Sequence, residues 1–139
     1  MIVKAGTIMV PHILILDQDK IAAQVTRSLV WHVLPGAHVY IVPPNMLLPD
    51  MYTEAPIDVL IIDPAGANEV RVQQLRVLQQ RQPALVVVVL TSEPPARCIR
   101  QLHDVQVYAL LEKGDSPAVL INHLRCLVHS FKAGELVLR

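Results

Sequence analysis

The chain has 139 residues, of which 53% are hydrophobic and 17% are charged. This composition suits one globular domain with a packed core and excludes a disordered chain. Twelve basic residues balance twelve acidic residues, so the net charge gives no reason to expect binding to nucleic acid or to an anionic membrane. No apolar stretch approaches the ~18 residues of a membrane-spanning helix. We therefore expect a cytoplasmic protein.

The two cysteines, Cys98 and Cys126, are far apart and form no CxxC motif. This pattern predicts free thiols, buried or half-buried, in a reducing compartment. The six histidines show no metal-ligand spacing, and Trp31 is predicted to lie in the core. We expect one domain over residues 1–139, with its core at residues 12–131, a short N-terminal extension and a C-terminal tail.

Five apolar runs rich in β-branched residues predict five strands. In chain order they are residues 12–16, 38–42, 58–62, 84–90 and 106–111. Their nearly continuous apolar character is typical of strands that are covered on both faces, as in a parallel sheet.

Segments with helical spacing lie between and after these strands, at residues 20–34, 70–80, 97–103 and 117–131. The first carries a stripe at three- and four-residue steps, formed by Ile21, Val25, Ser28, Leu29 and His32. In the second, three arginines at five-residue steps predict a solvated side: Arg71, Arg76 and Arg81. Ser116 can cap the last helix, and Pro117 fits its first turn. Prolines interrupt the connection before the third strand, leaving room for a short helix near residues 47–53.

The alternation of strands and helices predicts right-handed crossovers. The expected fold class is therefore α/β, a doubly wound five-stranded parallel sheet with strand order 2-1-3-4-5, in a three-layer flavodoxin-like sandwich. Ligands of such sheets bind outside the carboxyl ends of the strands.

Polar side chains stand at these strand ends. Asp17, Gln18 and Asp19 follow the first strand, Asp63 follows the third, Thr91 the fourth and Lys113 the fifth. Clustered carboxylates favour Mg²⁺, which takes hard oxygen ligands. A carboxylate near Mg²⁺ can attack a phosphoryl group, and a lysine and a hydroxyl can then hydrogen-bond the phosphoryl oxygens. Asp19 is also expected to cap the first helix.

In the order of the strand ends, the motifs ILILDQD, VLIID, VVVVLTS and LLEKGDSP resemble the receiver (CheY-like) domain of two-component response regulators. The resemblance covers nearly the whole chain. It implies that Asp63 is the phosphoacceptor, that Thr91 is the switch hydroxyl and that Lys113 pairs with the acceptor carboxylate. It also implies a Mg²⁺ site formed by Asp17, Asp63 and the backbone carbonyl of Ala65.

The sequence departs from the family pattern at three points. Gln18 stands where the family has its second metal-binding acid; its amide oxygen can ligate Mg²⁺ but brings no charge, so weakened Mg²⁺ binding is expected. The loop after Asp63 is shorter than in the family. Leu110 occupies the aromatic switch position, with Tyr108 two residues before it.

The resemblance implies a signalling protein with no enzymatic turnover beyond self-phosphorylation from a donor and autodephosphorylation. Its expected partners are a histidine kinase or phosphotransfer protein and a downstream effector protein. A homodimer could form through the surface of residues 97–103, 107–111 and 117–131. Direct binding to nucleic acid or membrane is not expected. Two alternatives stay open: a pseudo-receiver that binds proteins without phosphorylation, and a small-ligand or nucleotide-binding flavodoxin-like domain.

Overall fold

In the computed structural model, the described backbone comprises residues 2–4, 7–43, 48 and 56–132, with side chains described between residues 10 and 129 of these ranges. A two-stranded antiparallel hairpin, β1 (Ile2–Lys4) and β2 (Thr7–Met9), comes first. The sequence analysis did not predict this hairpin. The short helix predicted near residues 47–53 lies outside the described residues, apart from helical Leu48.

Five parallel strands form the main sheet: β3 (His12–Leu16), β4 (His38–Ile41), β5 (Val59–Ile62), β6 (Val86–Thr91) and β7 (Ala109–Glu112). Their order across the sheet is β4-β3-β5-β6-β7, which confirms the predicted order 2-1-3-4-5. The last two strands end one residue later than predicted, at Thr91 and Glu112. The last strand also begins three residues later, since Val107 and Tyr108 are exposed and precede it.

In the part of the chain that the structure describes, the sheet is flanked by the helices α1 (Lys20–Val33), α2 (Glu69–Arg81), α3 (Pro95–Gln101) and α4 (Pro117–Lys132). Side-chain alternation along the strands separates two apolar layers. On one face, Leu14, Leu60 and Val87 belong to the cluster that contains Leu75 of α2 and Cys98 of α3. On the other face, Ile13, Ile61 and Val88 pack with residues of α1 and α4. These two layers confirm the three-layer sandwich.

The inward face of α1 differs from the predicted stripe. Ala23, Thr26 and Val30 are buried, whereas Ile21 is 74% exposed. The small Ala23 side chain allows close approach to the sheet, and the buried Thr26 hydroxyl donates to the carbonyl oxygen of Ala22 at 3.0 Å. Of the predicted stripe, only Leu29 packs against the core, where it is partly buried. The other four members, Ile21, Val25, Ser28 and His32, are exposed, because two stripes with helical spacing overlap in this segment.

Trp31 is not a core residue, since it is 42% exposed. Its indole Nε1 donates to the carbonyl oxygen of Ala37 at 3.0 Å, and the Arg27 guanidinium lies 5.2 Å from the ring centroid. Both contacts hold the ring flat against the surface at the end of α1.

Neither cysteine forms a disulfide, as predicted; Cys98 is buried, whereas Cys126 is exposed. Among the described residues, no helix combines the length and the hydropathy required to cross a membrane.

Candidate functional site

The carboxyl ends of four neighbouring strands bring the predicted site residues to one edge of the sheet. Asp17 follows β3, Asp63 follows β5, Thr91 ends β6 and Lys113 follows β7. The strand register aligns these ends, because Leu16 pairs with Ile62 and Thr91 pairs with Glu112.

The Asp63 carboxylate is held by three donors. The Thr91 hydroxyl donates to Oδ1 at 2.7 Å, and the Ala65 backbone N–H donates to the same oxygen at 3.0 Å. The Lys113 ammonium donates to Oδ2 at 2.5 Å. The side chain is only 9% exposed, so these bonds replace much of its hydration and fix the orientation of the carboxylate.

Lys113 joins the two acids of the site. Its Nζ lies 2.7 Å from Asp17 Oδ2 and 2.5 Å from Asp63 Oδ2. The other oxygen of Asp17 accepts the backbone N–H of Asp19 at 2.9 Å. One ammonium therefore screens the repulsion between two nearly buried carboxylates.

These contacts determine the protonation states of the site. Burial favours the neutral form of Asp63, but hydrogen bonds from Lys113, Ala65 and Thr91 outweigh it and hold the pKa of Asp63 below its ordinary value. Burial likewise disfavours the charged form of Lys113, but its hydrogen bonds to Asp17 and Asp63 raise the pKa of the ammonium. Near neutral pH, Asp63 is a carboxylate and Lys113 is an ammonium ion.

Thr91 connects Asp63 to the start of α3. Its side chain is buried, and its hydroxyl oxygen accepts the backbone N–H of Glu93 at 3.1 Å while its proton points to Asp63. The Thr91 hydroxyl therefore links Asp63 directly to the turn that leads into α3.

In α3, burial raises the pKa of the Cys98 thiol, and the charges of Asp63 and Glu93 raise it further.

Gln18 clamps the loop that follows Asp63. Its amide Nε2 donates to the carbonyl oxygen of Gly66 at 2.9 Å. Gly66 has a φ of 76°, and a Cβ built there would lie 2.3 Å from Gln18 Oε1. The left-handed backbone angle favours glycine here, and a side chain would also displace the end of the flexible Gln18 side chain. The structure thus gives Gln18 a role in holding the loop.

The site opens into a pocket of about 90 Å³. Leu16, Val42 and Ile62 form its apolar floor, and the polar walls come from Asp17, Gln18, Asp63, the loop of residues 65–68, and Arg71. Sequence reasoning missed Arg71, which was predicted to be solvated; it is half-buried, and burial lowers the pKa of its guanidinium. The sequence feature that could have indicated its position is the short loop after Asp63. Because this loop is short, α2 begins at Glu69, close to the end of the strand.

Two further expectations concern residues beside the site. Asp19 caps α1, as predicted, because its carboxylate accepts the backbone N–H groups of Ile21 and Ala22. Leu110 is partly buried and packs against the core, whereas Tyr108 is exposed on the surface.

The oxygen donors of the site are chemically suited to a weak Mg²⁺ site. Asp17 and Asp63 offer two carboxylates, and Mg²⁺ is commonly held by one or two carboxylates with several waters. No set of three or more His, Cys, Asp or Glu side chains is grouped to hold a metal within the described residues. Gln18 adds no charge, and its amide already bonds to the loop. The donor set therefore fits Mg²⁺ with less negative charge than three acids would supply.

Comparison with known proteins identifies the fold. A receiver domain protein (CheY-like) of Methanospirillum hungatei JF-1 is 14% identical, with a TM-score of 0.70 over 91% of this chain and 99% of that chain. The N-terminal domain of a response regulator/sensory box/GGDEF 3-domain protein from Carboxydothermus hydrogenoformans is 22% identical, with a TM-score of 0.68 over 88% and 98%.

A putative pilus assembly-related protein from Burkholderia pseudomallei K96243 has the same fold. It is 17% identical, with a TM-score of 0.67 over 86% of this chain and 90% of that chain. No protein-family profile and no curated protein sequence matches the chain. The structural similarities, together with the sheet order, show that the chain has the fold of response-regulator receiver domains.

Proposed function

We propose that this chain is a receiver domain of a phosphorelay, in which Asp63 accepts a phosphoryl group from a histidine kinase or a phosphotransfer protein. One observation supports this most strongly. The Asp63 carboxylate is ionised, oriented between the Thr91 hydroxyl and the Lys113 ammonium, and adjacent to an open polar pocket. A carboxylate that only closed a strand would not need a lysine from 50 residues further along the chain.

The reaction transfers a phosphoryl group from a nitrogen or oxygen atom of the donor to a carboxylate oxygen of Asp63. An Asp63 carboxylate oxygen attacks the phosphorus, and the bond from phosphorus to the donor nitrogen of phosphohistidine breaks. The imidazole ring leaves with the electron pair and takes up one proton from solvent, so that neutral imidazole is released as an acyl phosphate forms on Asp63. With acetyl phosphate as the donor, the phosphorus–oxygen bond breaks and acetate leaves, with no net proton change.

The residues of this chain bind and orient the transferred group. Lys113 supplies a positive charge beside the attacking carboxylate, and the Thr91 hydroxyl can turn from the carboxylate to a phosphoryl oxygen. Asp17, Asp63 and the Ala65 carbonyl would hold Mg²⁺, and the uncharged Gln18 amide oxygen would be a further, weaker ligand. When bound, this ion would neutralise charge on the phosphoryl oxygens.

The signal would leave the site through protein contacts. Thr91 leads into α3, and Lys113 lies between β7 and α4, so a change at Asp63 reaches the surface of residues 97–103, 107–111 and 117–131. That surface exposes Ile99, Tyr108 and Val119. We assign to it the binding of a downstream effector or of a second copy of the chain.

A second candidate function is a pseudo-receiver that binds proteins without being phosphorylated. The observation that favours it is the Gln18 side chain, which replaces an acid and bonds to the Gly66 carbonyl. In that case the Lys113 bridge between Asp17 and Asp63 would serve only to hold the loops of the sheet edge together.

Incubation with acetyl phosphate and Mg²⁺, followed by intact mass spectrometry, separates these two functions. Wild type is expected to gain the mass of one phosphoryl group, and Asp63→Asn is expected to gain none. Asp104→Asn is a matched control, since Asp104 is an exposed acid whose φ of 63° asparagine also tolerates. Wild type without an adduct, at a Mg²⁺ concentration that saturates the protein, would support the pseudo-receiver.

A further inference from the structure

The pocket beside Asp63 is lined by an arginine, Arg71, that has no role in the proposed phosphoryl transfer described above. Arg71 lines the same pocket as Asp17, Gln18 and Asp63. It lies in the first turn of α2, and the Asn68 side chain accepts its backbone N–H at 2.9 Å. This cap fixes the start of the helix and hence the position from which the arginine extends.

The pocket carries less negative charge than a metal site with three acids. The Lys113 ammonium bridges its two carboxylates, Asp17 and Asp63, and Arg71 lines the same pocket. Gln18 adds no charge at the position where a third acid would have favoured a divalent cation. A less acidic pocket attracts Mg²⁺ less, and it opposes the entry of a phosphoryl dianion less.

The guanidinium also has the chemistry for this task. Arginine offers five N–H donors in a planar fork that matches two oxygens of a phosphoryl group. Its Nη1 donates to Gln74 Oε1 at 2.9 Å, which directs the group from the neighbouring turn of α2. A phosphoryl oxygen is a stronger acceptor than the Gln74 amide oxygen, so a bound phosphoryl group can compete for the Nη1 donor. Burial, which lowers the pKa of the Arg71 guanidinium, also reduces the screening of its charge by water.

We propose that Arg71 is a positioning residue that binds the phosphoryl oxygens of the donor beside Asp63 and supplies positive charge that a weakened metal site delivers less effectively. This inference rests on the proposed function and adds to it. It predicts that phosphoryl anions bind the pocket even without a divalent cation, and that phosphorylation depends less steeply on Mg²⁺ than in a site with three acids.

The test compares Arg71→Gln and Arg71→Lys with wild type. Arg81→Gln is the matched control, since Arg81 is an exposed arginine at the other end of the same helix. Inorganic phosphate is titrated in the presence of EDTA, and binding is followed by the amide NMR shifts of residues 65–68. Arg71→Gln is expected to weaken binding about tenfold or more, the effect of losing a charge-assisted hydrogen bond. Arg71→Lys should recover part of the loss, and Arg81→Gln should bind as wild type does.

A second measurement gives the acetyl phosphate reaction rate against Mg²⁺ concentration. Arg71→Gln should react more slowly at low Mg²⁺ and approach the wild-type rate at high Mg²⁺, where the ion takes over the neutralisation of charge. The inference is overturned if wild type binds no phosphate without metal, or if Arg71→Gln binds phosphate as tightly as wild type. Phosphate binding that depends on Arg71, without any adduct on Asp63, would instead refute the proposed function and leave the anion site standing.

Discussion

Replacement of Gly66 by alanine is expected to destabilise the native state by about 1.5–3 kcal/mol, because two separate costs arise. The φ of 76° at Gly66 is left-handed, and a side chain in that conformation costs about 1–2 kcal/mol. The new Cβ would also lie 2.3 Å from Gln18 Oε1. The exposed Gln18 side chain would have to leave, with loss of its hydrogen bond to the Gly66 carbonyl, which contributes about 0.5–1 kcal/mol.

A double-mutant cycle with Gln18→Ala separates the two costs. Without the Gln18 side chain, Gly66→Ala should cost only the backbone strain of about 1–2 kcal/mol, so the coupling energy should be about 0.5–1 kcal/mol. The assay is urea denaturation of the four proteins, with equal m-values as the check on two-state unfolding. Gly36→Ala is the matched control, since nothing lies within 4 Å of a Cβ at that position.

The reasoning would be refuted if Gly66→Ala cost the same in both backgrounds, because the Gln18 side chain would then not lie across the loop. A cost near zero in the wild-type background would contradict both the left-handed conformation and the contact.

Three further predictions concern charge, metal and packing. The native pKa of Asp63 is lowered from 3.8, so the stabilising contribution of this carboxylate is present above about pH 4 and is lost as pH falls through the native value. The free energy of unfolding in urea should therefore fall less steeply with acid for Asp63→Asn than for wild type. Equal slopes would contradict the hydrogen bonds from Lys113 and Thr91. Gln18→Asp should raise the Mg²⁺ affinity about tenfold by calorimetry, since it adds a carboxylate, and unchanged affinity would exclude this edge as the metal site. Leu75→Ala should lower the free energy of unfolding in urea by about 2–5 kcal/mol, because this side chain, on the inner face of α2, is fully buried. A decrease below about 1 kcal/mol would contradict this core packing.

The sequence predicted the main sheet well because its strands are buried on both faces. Val86 to Leu90 are all buried, and a run of this kind leaves little ambiguity between strand and surface segment. Positions at the carboxyl ends follow from the strand order, so Asp17, Asp63, Thr91 and Lys113 could be grouped before any coordinates were known.

Side-chain direction was harder to predict because it depends on tertiary packing. Spacing alone favoured Ile21 as an inward residue of α1, but the small Ala23 determines which face approaches the sheet. Trp31 was predicted to lie in the core at the end of the first helix, yet it is 42% exposed, and its indole donates a hydrogen bond to the Ala37 carbonyl oxygen.

Contacts across loops could not be predicted either. The Gln18 bond to Gly66 joins positions 48 residues apart, and no local pattern encodes it. Arg71 was expected to be solvated because regular arginine spacing usually marks an exposed face. Arg71 reaches the pocket because α2 begins early, after a short loop. The sequence spacing reveals this position only when the strands that form the sheet edge are already known.

The central claim is that Asp63 carries the phosphoryl group as an acyl phosphate. The most direct measurement is to treat the acetyl phosphate-reacted protein with hydroxylamine, which converts an acyl phosphate to a hydroxamate, and to locate the modified residue by peptide mass mapping. The account predicts one hydroxamate, on Asp63, with none in Asp63→Asn. A hydroxamate on another acid, or none in wild-type protein saturated with Mg²⁺, would contradict it.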